Sequence, residues 1–502
     1  MKFIGKSVIP LLLLISLLFT VCSNGQSNDS NAVTTKNDSA VAAAEEAEDT
    51  TTNRANIKDT LPADLDFGGK PIKILYRGGF DSIEMNSDDI TGDIVNDAVY
   101  ERNTKVQERL NVQFEYNESG TATAQNMPTA ITSSILAGSD EVDLIAWAQY
   151  VVLPLALQNM FCNLSGASYI DLAQPWWNND YMSKVNIGEN SSFFLMGDIC
   201  LTALRGTNAT FFNKQIYTNL FGSTDDFYQF ILDGHWTIDK MYEYTEAAYV
   251  DLNGNGVSDK GDMFGMGATT VANTEHFAFS MGLKISECDS NGIPTIVVNN
   301  DRTVNIVEKM HALYYDNPGS KIVKDDNSFI AFGTSDIADD FISGRLLFMP
   351  LWLQTGDDLR EMETDYGVIP FPKLNESQEN YMALAHDTSS MMCIPGTTQA
   401  FDETCAVLEA MCAETYRTVT PAYYEVALKT KYTRDNLSSL MIDLIHDNTT
   451  TDFCYAYTYA LDSIGVMMRT LVGGNQPNFA AYYAKIEASL QTKLEKLIAL
   501  YE

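Results

Sequence analysis

Basic residues are scarce in this chain. Its 502 residues include 32 lysines and arginines against 67 aspartates and glutamates, a formal net charge of −35 at pH 7. So acidic a surface argues against nucleic acid and against adhesion to anionic lipid, and it favours solubility. Cysteine is sparse and unpatterned. Apart from Cys22, the cysteines Cys162, Cys200, Cys288, Cys393, Cys405, Cys412 and Cys454 show no C-x-x-C spacing. Neither a zinc cluster nor a disulfide framework follows, and buried free thiols are expected, with room for one or two bridges. No G-x-S-x-G elbow and no H-E-x-x-H occurs, and the five histidines (His235, His276, His311, His386 and His446) are scattered. Nothing therefore marks a nucleophile or a catalytic zinc, and no catalytic residue is assigned. A pair of carboxylates for glycoside cleavage could be drawn from anywhere among 67 acids, so their abundance decides nothing.

Only the N-terminus carries a long apolar run. Lys2 and Lys6 precede Val8–Leu18, and Cys22 follows at once. This is the pattern of a secretory signal, too short for a comfortable membrane span. Residues 1–21 are read as a signal peptide, and Cys22 is similar to the lipidated first residue of bacterial lipoproteins. Phe19-Thr20-Val21 are bulkier than the residues usual before such a cysteine. Residues 22–60, rich in Ser, Asn, Asp, Thr, Ala and Glu, lack the apolar surface needed for order and read as an acidic tether. The remainder is too long for a single core and implies two domains or lobes.

The ordered part is expected from about Leu65. Pro71–Tyr76 reads as a strand, Thr91–Leu110 as a helix on the spacing of Val95, Val99, Val106 and Leu110, and Asn111–Tyr116 as an alternating strand. A helix through Ala130–Leu136 and a buried strand Val142–Trp147 follow. Strand and helix alternate, which predicts a largely parallel sheet whose crevice lies beyond the strands' carboxyl ends. A second α/β stretch holds strands at Asn208–Asn213, Met263–Gly267, Leu346–Met349 and Tyr366–Ile369, with a helix starting near Thr237. From Asp402 onward the pattern is mainly helical.

The segment Asp251–Asp262, DLNGNGVSDKGD, has the spacing of a calcium loop. Oxygen-bearing side chains fall at Asp251, Asn253, Asn255, Asp259 and Asp262. Gly256 stands where the chain must turn sharply, and Val257 offers its carbonyl. Aspartate in the last place and the two asparagines predict weak affinity, suited to extracellular calcium. A caged ion with no open position is structural rather than catalytic. The competing reading is a solvated Asn-Gly turn.

Taken in order, GGKPIKILYRGG, TGDIVNDAVYERNTKVQERLNVQFEY, VDLIAWAQY, TFFNKQIY, GHWTIDKMYEY and YGVIPFPK resemble the extracellular solute-binding proteins of sugar-type ABC importers, family 1. The resemblance runs from about residue 65 to the C-terminus. It implies an α/β, two-lobe periplasmic-binding-protein-like fold of type II. Each lobe would be a mixed, mostly parallel sheet flanked by helices, with a helical C-terminal part. Lobe 1 would be 65–200 plus 340–390, and lobe 2 would be 201–339 plus 391–502. Ligand would be held between lobes that close by a hinge.

A sugar site needs flat aromatic rings and hydrogen-bonding groups. Trp147, at the carboxyl end of a strand, and Trp352, after another, are the first candidates. Arg77 and Asp81 in the loop after the first strand, His276 in a loop after a second-lobe strand, and Tyr457, with Tyr455 as its alternative, in the run FCYAYTY complete the expected set. For each, core packing or a plain surface loop is the rival reading, and the pair Trp176-Trp177 reads as packing. The sequence thus points to a monomeric, lipid-anchored protein on the extracellular face of the cytoplasmic membrane. It would deliver a carbohydrate, an oligosaccharide by preference, to an ABC permease. A secreted glycan-degrading enzyme or a surface adhesion protein is the alternative.

Overall fold

The computed structural model describes residues 54–79, 81–119, 127–188, 192–271, 273–324, 336–357, 359, 362–424 and 436–500. The expected signal peptide, Cys22 and the tether up to residue 53 lie outside them. In chain order the strands are β1 (Lys70–Arg77), β2 (Val112–Ser119), β3 (Leu144–Ala148), β4 (Asn208–Asn213), β5 (Phe264–Thr269), β6 (Ser286–Cys288), β7 (Pro294–Ile296), β8 (Ser320–Val323), β9 (Leu346–Trp352), β10 (Tyr366–Ile369), β11 (Ala383–Leu384), β12 (Ser390–Cys393) and β13 (Thr449–Thr450).

They form two principal sheets. The first has the order β12-β3-β1-β2, with β1 parallel to both β2 and β3, and β12 antiparallel to β3. The second has the order β10-β4-β9-β5-β8, antiparallel on the β10-β4-β9 side and parallel from β9 to β8. Each sheet centres one lobe of a two-lobe, periplasmic-binding-protein-like fold. Short pairs β6–β7 and β11–β13 lie outside them.

Local chemistry accounts for the elements. In the helix Ile94–Leu110, Asp93 caps the first turn by accepting from the Val95 and Asn96 amides. Asn111 ends the helix in the left-handed conformation, at φ 48°. Its buried positions Val95, Val99, Arg102, Val106 and Leu110 share one face. Thr237 caps the helix Ile238–Ala247, and Trp236 beside it is fully buried, its indole donating to the Pro370 carbonyl at 3.0 Å. Strands β3, β4, β5 and β9 are buried along their whole lengths, as sheet interiors covered on both faces must be.

Three expectations need correction. Strands β9 and β10 pair in the second sheet, so 346–369 does not join the first lobe, and β12 at 390–393 closes the first sheet. A buried apolar strand has the same composition whichever sheet it enters, so its partner is invisible in the sequence. Strand β9 also runs through Pro350 to Trp352. This is tolerated because β5 pairs with β9 only as far as Phe348, and the Asn273 amide donates to the Pro350 carbonyl at 2.9 Å. Finally, order begins before residue 60. Arg54 bonds Asp198 at 2.6 Å and lies 3.9 Å over the Tyr416 ring, and Asp59 bonds Arg109 at 2.5 Å. These charges find partners on the globule that hydropathy does not register.

Candidate functional site

The chain crosses between sheets at residues 201–208 and again between β10 and β12. The second crossing, Ala-His-Asp-Thr-Ser from Ala385 to Ser389, is held from several sides. Gln149 Nε2 donates to the His386 carbonyl at 2.8 Å and the Gln149 amide donates to the Ser389 carbonyl at 3.0 Å. Arg77 donates to the Thr388 carbonyl at 2.8 Å, and the Asp387 amide donates to the Tyr455 hydroxyl at 3.2 Å. The Ser390 amide donates to Thr202 Oγ1 on the first crossing at 2.9 Å.

Three rings meet on this strap. His386 stacks on His276, with centroids 5.5 Å apart and planes 17° apart, and the Trp352 ring stands against His386 at 4.7 Å and 67°. Trp352 ends β9, whereas His276 lies on the helix Thr274–Ser280 and not in the loop expected there. His386 Nδ1 meets the Thr388 amide at 3.1 Å and the Thr388 hydroxyl at 2.8 Å. Burial, then His386 and Arg469, hold the His276 imidazole far below its ordinary value, so it stays neutral. Its Nδ1 is buried without a hydrogen-bond partner.

Other buried polar atoms around the rings are also unmatched. The Asn208 side chain, Gln354 Nε2 and Ser389 Oγ find no partner, and neither does Trp147 Nε1 in the first sheet. Asn208 is the cross-strand neighbour of Trp352, and Arg205 donates to Gln354 Oε1 at 3.3 Å. Ser389 and His386 both close on Gly206, where a Cβ would lie 3.7 Å from Ser389 Oγ and 3.5 Å from His386 Cβ. Buried polar atoms are normally satisfied, so these are exceptions to the rule.

The charges beside the rings are paired. Arg469 bonds Glu275 at 2.5 Å, and Asp387 lies 3.1 Å from His386. Burial works against the Asp387 carboxylate, but His386, Arg469 and Arg77 outweigh it and keep its carboxyl below the usual range. Below the crossing, Arg77 grips Asp81 through two bonds of 2.6 and 3.1 Å. Burial raises the Asp81 carboxyl despite Arg77. It raises fully buried Glu84 further, the Asp81 charge adding to the effect.

The expected residues therefore separate. Trp352 and His276 come together around His386, which no motif announces. Trp147 is 2 % exposed on β3, beside Met391 of β12. Arg77 and Asp81 are buried and bonded to each other, a clamp on the crossing instead of open ligand groups. Tyr457 is buried against Phe453 at 4.6 Å, and Tyr455 is the member of that run whose hydroxyl reaches the crossing. Tyr459, 55 % exposed, packs edge-on to Tyr150 at 6.1 Å.

The loop Asp251–Asp262 connects the helix Ile238–Ala247 to β5 and is closed at its base by paired bonds of 3.0 Å between Val250 and Met263. Gly256 has φ 73°, as the sharp turn requires. Asp251 accepts from the Gly254 and Gly256 amides, each at 2.7 Å, and Val257 donates to Asn255. Buried Asp262 accepts from Leu252, Asp259 and the Tyr249 hydroxyl. The side-chain amides of Asn253 and Asn255 donate to Asp259. Among the described residues no three acids, histidines or cysteines gather as a metal-binding group. The backbone turns as a cation loop does, but the carboxylates do not converge and the two asparagine side chains present nitrogen to Asp259.

No family model and no curated protein matches the sequence. Solved structures do match in fold. An ABC substrate-binding protein from Listeria monocytogenes, in complex with cycloalternan, superposes with a TM-score of 0.52 at 9% identity, covering 86% of this chain and 98% of that one. The GacH receptor of Streptomyces glaucescens, solved with acarbose, gives 0.53 at 12% identity, covering 85% and 99%. A Mycobacterium tuberculosis protein in complex with glycerophosphocholine gives 0.52 at 13% identity, covering 86% and 99%. The fold is that of the ABC substrate-binding proteins. Among proteins of this fold the cargo differs, so the ligand must be argued from the site. Among the described residues no helix is long and apolar enough to cross a membrane.

Proposed function

We propose that the chain is the substrate-binding component of an ABC importer and holds a neutral carbohydrate, an oligosaccharide by preference, between its two sheets. The observation that carries this reading is the Trp352–His386–His276 ring cluster, surrounded by unmatched polar atoms of Asn208, Gln354, Ser389 and His276. Rings cover the C–H faces of a sugar and the polar atoms take its hydroxyls. The guanidinium groups of Arg77 and Arg469 are already neutralised by Asp81 and Glu275, which disfavours an anionic cargo. In this reading Trp147 contributes its indole N–H from the first lobe, and closure presents a joint surface to a permease. Cys22 anchors the chain, as a monomer, to the extracellular face of the membrane. Calcium held by Asp251, Asn253, Asn255, the Val257 carbonyl, Asp259 and Asp262 stiffens the second lobe.

Thermal unfolding against a panel of neutral and acidic oligosaccharides tests the reading. A ligand at 100 times its dissociation constant adds about 2.7 kcal/mol of stability. A selective shift without product is the expected result. Product formation would replace the binder with an enzyme, and no shift with any sugar would remove the carbohydrate.

A further inference from the structure

Beneath the two crossings lies a pair of carboxyls that the cargo reading does not use. After β1 the chain enters a short helix, Ser82–Met85, with Asp81 at its N-cap and Glu84 within it. Both side chains are shut off from solvent. Glu84 Oε2 accepts from the Thr202 amide on the first crossing at 2.7 Å. Thr202 Oγ1 in turn donates to Ser390 Oγ and accepts from the Ser390 amide, each at 2.9 Å, where the second crossing enters β12. Asp81 holds Arg77, and Arg77 donates to the Thr388 carbonyl of the second crossing at 2.8 Å. The crossings themselves abut at Gly206, where a Cβ would stand 3.5 Å from His386 Cβ. The Asp81–Glu84 pair is thus bonded, directly or through one residue, to both connections between the sheets.

The surroundings of Glu84 suit its neutral form. Its Oε1 meets no partner. Asp81 adds negative charge from the same helix, with Arg77 of β1 already bonded to Asp81. Cys200, just before Thr202, is kept as a thiol by burial and then by Glu84 itself. Arg102 reaches in from the helix Ile94–Leu110, but its guanidinium is committed to the Glu84 and Met85 carbonyls, Asn103 Oδ1 and Thr415 Oγ1. Thr202 and Ser390 are the donors toward the carboxyl, and burial with Asp81 outweighs them, raising it to about 8. A buried carboxylate short of donors is costly and draws in water. The groups packed on this one are the same Thr202 and Ser390 that join the crossings, so hydration of Glu84 separates them.

We propose that Glu84, with Asp81 beside it, is a proton-operated latch: protonated, it lets the two connections between the sheets lock together, and on losing its proton it parts them. When the junction opens, Glu84 is hydrated and its carboxyl returns to the ordinary value of 4.5. The open form therefore gives up a proton that the closed form keeps. Opening is favoured by up to about tenfold per pH unit between the open and the closed value, and by no more above the latter. Linkage is reciprocal, so whatever holds the two connections together also holds the proton on Glu84. The latch follows from the fold and is independent of the cargo.

The test is native-state amide hydrogen exchange of the full chain, read by mass spectrometry in peptides covering 199–208 and 385–393, for the parent and Glu84→Gln. Comparing the two at one pH cancels the intrinsic exchange rate. The ratio of parent to variant exchange at the crossings is expected to rise ten- to a hundredfold between pH 5.5 and pH 7.5, while the β5 amides, which await global unfolding, stay unexchanged. Asp81→Asn removes the neighbouring negative charge, so exchange in that variant should rise less than in the parent over the same interval. A parent-to-Gln ratio that does not change with pH overturns the latch. So do crossing amides that exchange only together with β5, because the junction would then open only when the whole chain unfolds. A rise in Asp81→Asn equal to the parent's overturns the pairing of Asp81 with Glu84.

Discussion

His276 and His386 lie face to face, 5.5 Å between ring centroids, although they belong to different parts of the fold. His276 rides on the helix after β5, and His386 on the strap that returns the chain to the first sheet. Trp352 completes the corner at 4.7 Å from His386. The stack therefore ties ring surface in the second lobe to the segment that connects the two sheets.

Removing His386 should weaken ligand binding more than it weakens the fold. Its ring is the contact between Trp352 and His276, and its main chain is held independently by Gln149. His386→Ala is expected to cost about 1.5–3 kcal/mol of binding free energy, ten- to a hundredfold in Kd, from lost ring contact and a lost hydrogen bond. Calorimetric titration with the sugar identified by thermal shift measures it. An unchanged Kd would place the ligand elsewhere.

The neutral state of His276 predicts a pH dependence. Its folded pKa is held below the unfolded value, chiefly by burial, so the unfolded chain binds the extra proton as pH falls. Stability is then lost below about pH 6.5, by up to about 1.4 kcal/mol per pH unit until the folded group itself titrates. Asp387, whose folded pKa is lowered, adds its own loss only below the ordinary aspartate range. Denaturant unfolding of His276→Gln at pH 7 and pH 5 should show a smaller drop than the parent. Equal drops would mean that His276 is charged in the folded state.

Much of the frame was legible in the sequence, and the reasons are local. β4 and β10 coincide with their expected spans because short buried runs bounded by polar residues have few other solutions. Thr237 was readable as a helix start because its side chain caps the helix in place. Trp352 stood out as an aromatic at a strand end. What could not be read is the pairing of distant pieces. The sheet assignment of β9, the coupling of Arg54 to Asp198 and Tyr416, and the meeting of His386 with Trp352 all depend on contacts made between separated segments. His386 sits among small polar residues with no periodicity or motif, so its importance appears only when the strap is placed between the sheets.

Glu84 carries the opposite pH sign from His276. It is fully buried, its Oε2 accepts from the Thr202 amide at 2.7 Å, and its Oε1 has no partner. Burial and nearby Asp81 raise its carboxyl to about 8. A raised carboxyl favours the folded state only while protonated, so it costs stability as pH climbs from about 4.5 toward 8. Glu84→Gln keeps an acceptor for Thr202 and cannot ionise. The variant should gain stability over the parent at pH 9, on the order of 1–3 kcal/mol, and little at pH 5. A difference independent of pH would show that Glu84 is ionised throughout.

Calcium should act on the second lobe through the loop Asp251–Asp262. The loop already closes on itself, with Asp251 gripping two glycine amides and Asp262 gripping two more amides and the Tyr249 hydroxyl. Binding would have to draw the carboxylates of Asp251, Asp259 and Asp262 together as well as rotate Asn253 and Asn255, and the aspartate at the last position predicts a dissociation constant of about 10⁻⁴–10⁻³ M, as in extracellular modules. Millimolar calcium is expected to raise the melting temperature of the parent but not of Asp259→Ala. Magnesium at equal concentration should do less, because it demands a tighter octahedral shell. Without a calcium effect on the parent, the internal hydrogen bonds would be the loop's whole support. Its glycines and aspartates would then serve the turn alone.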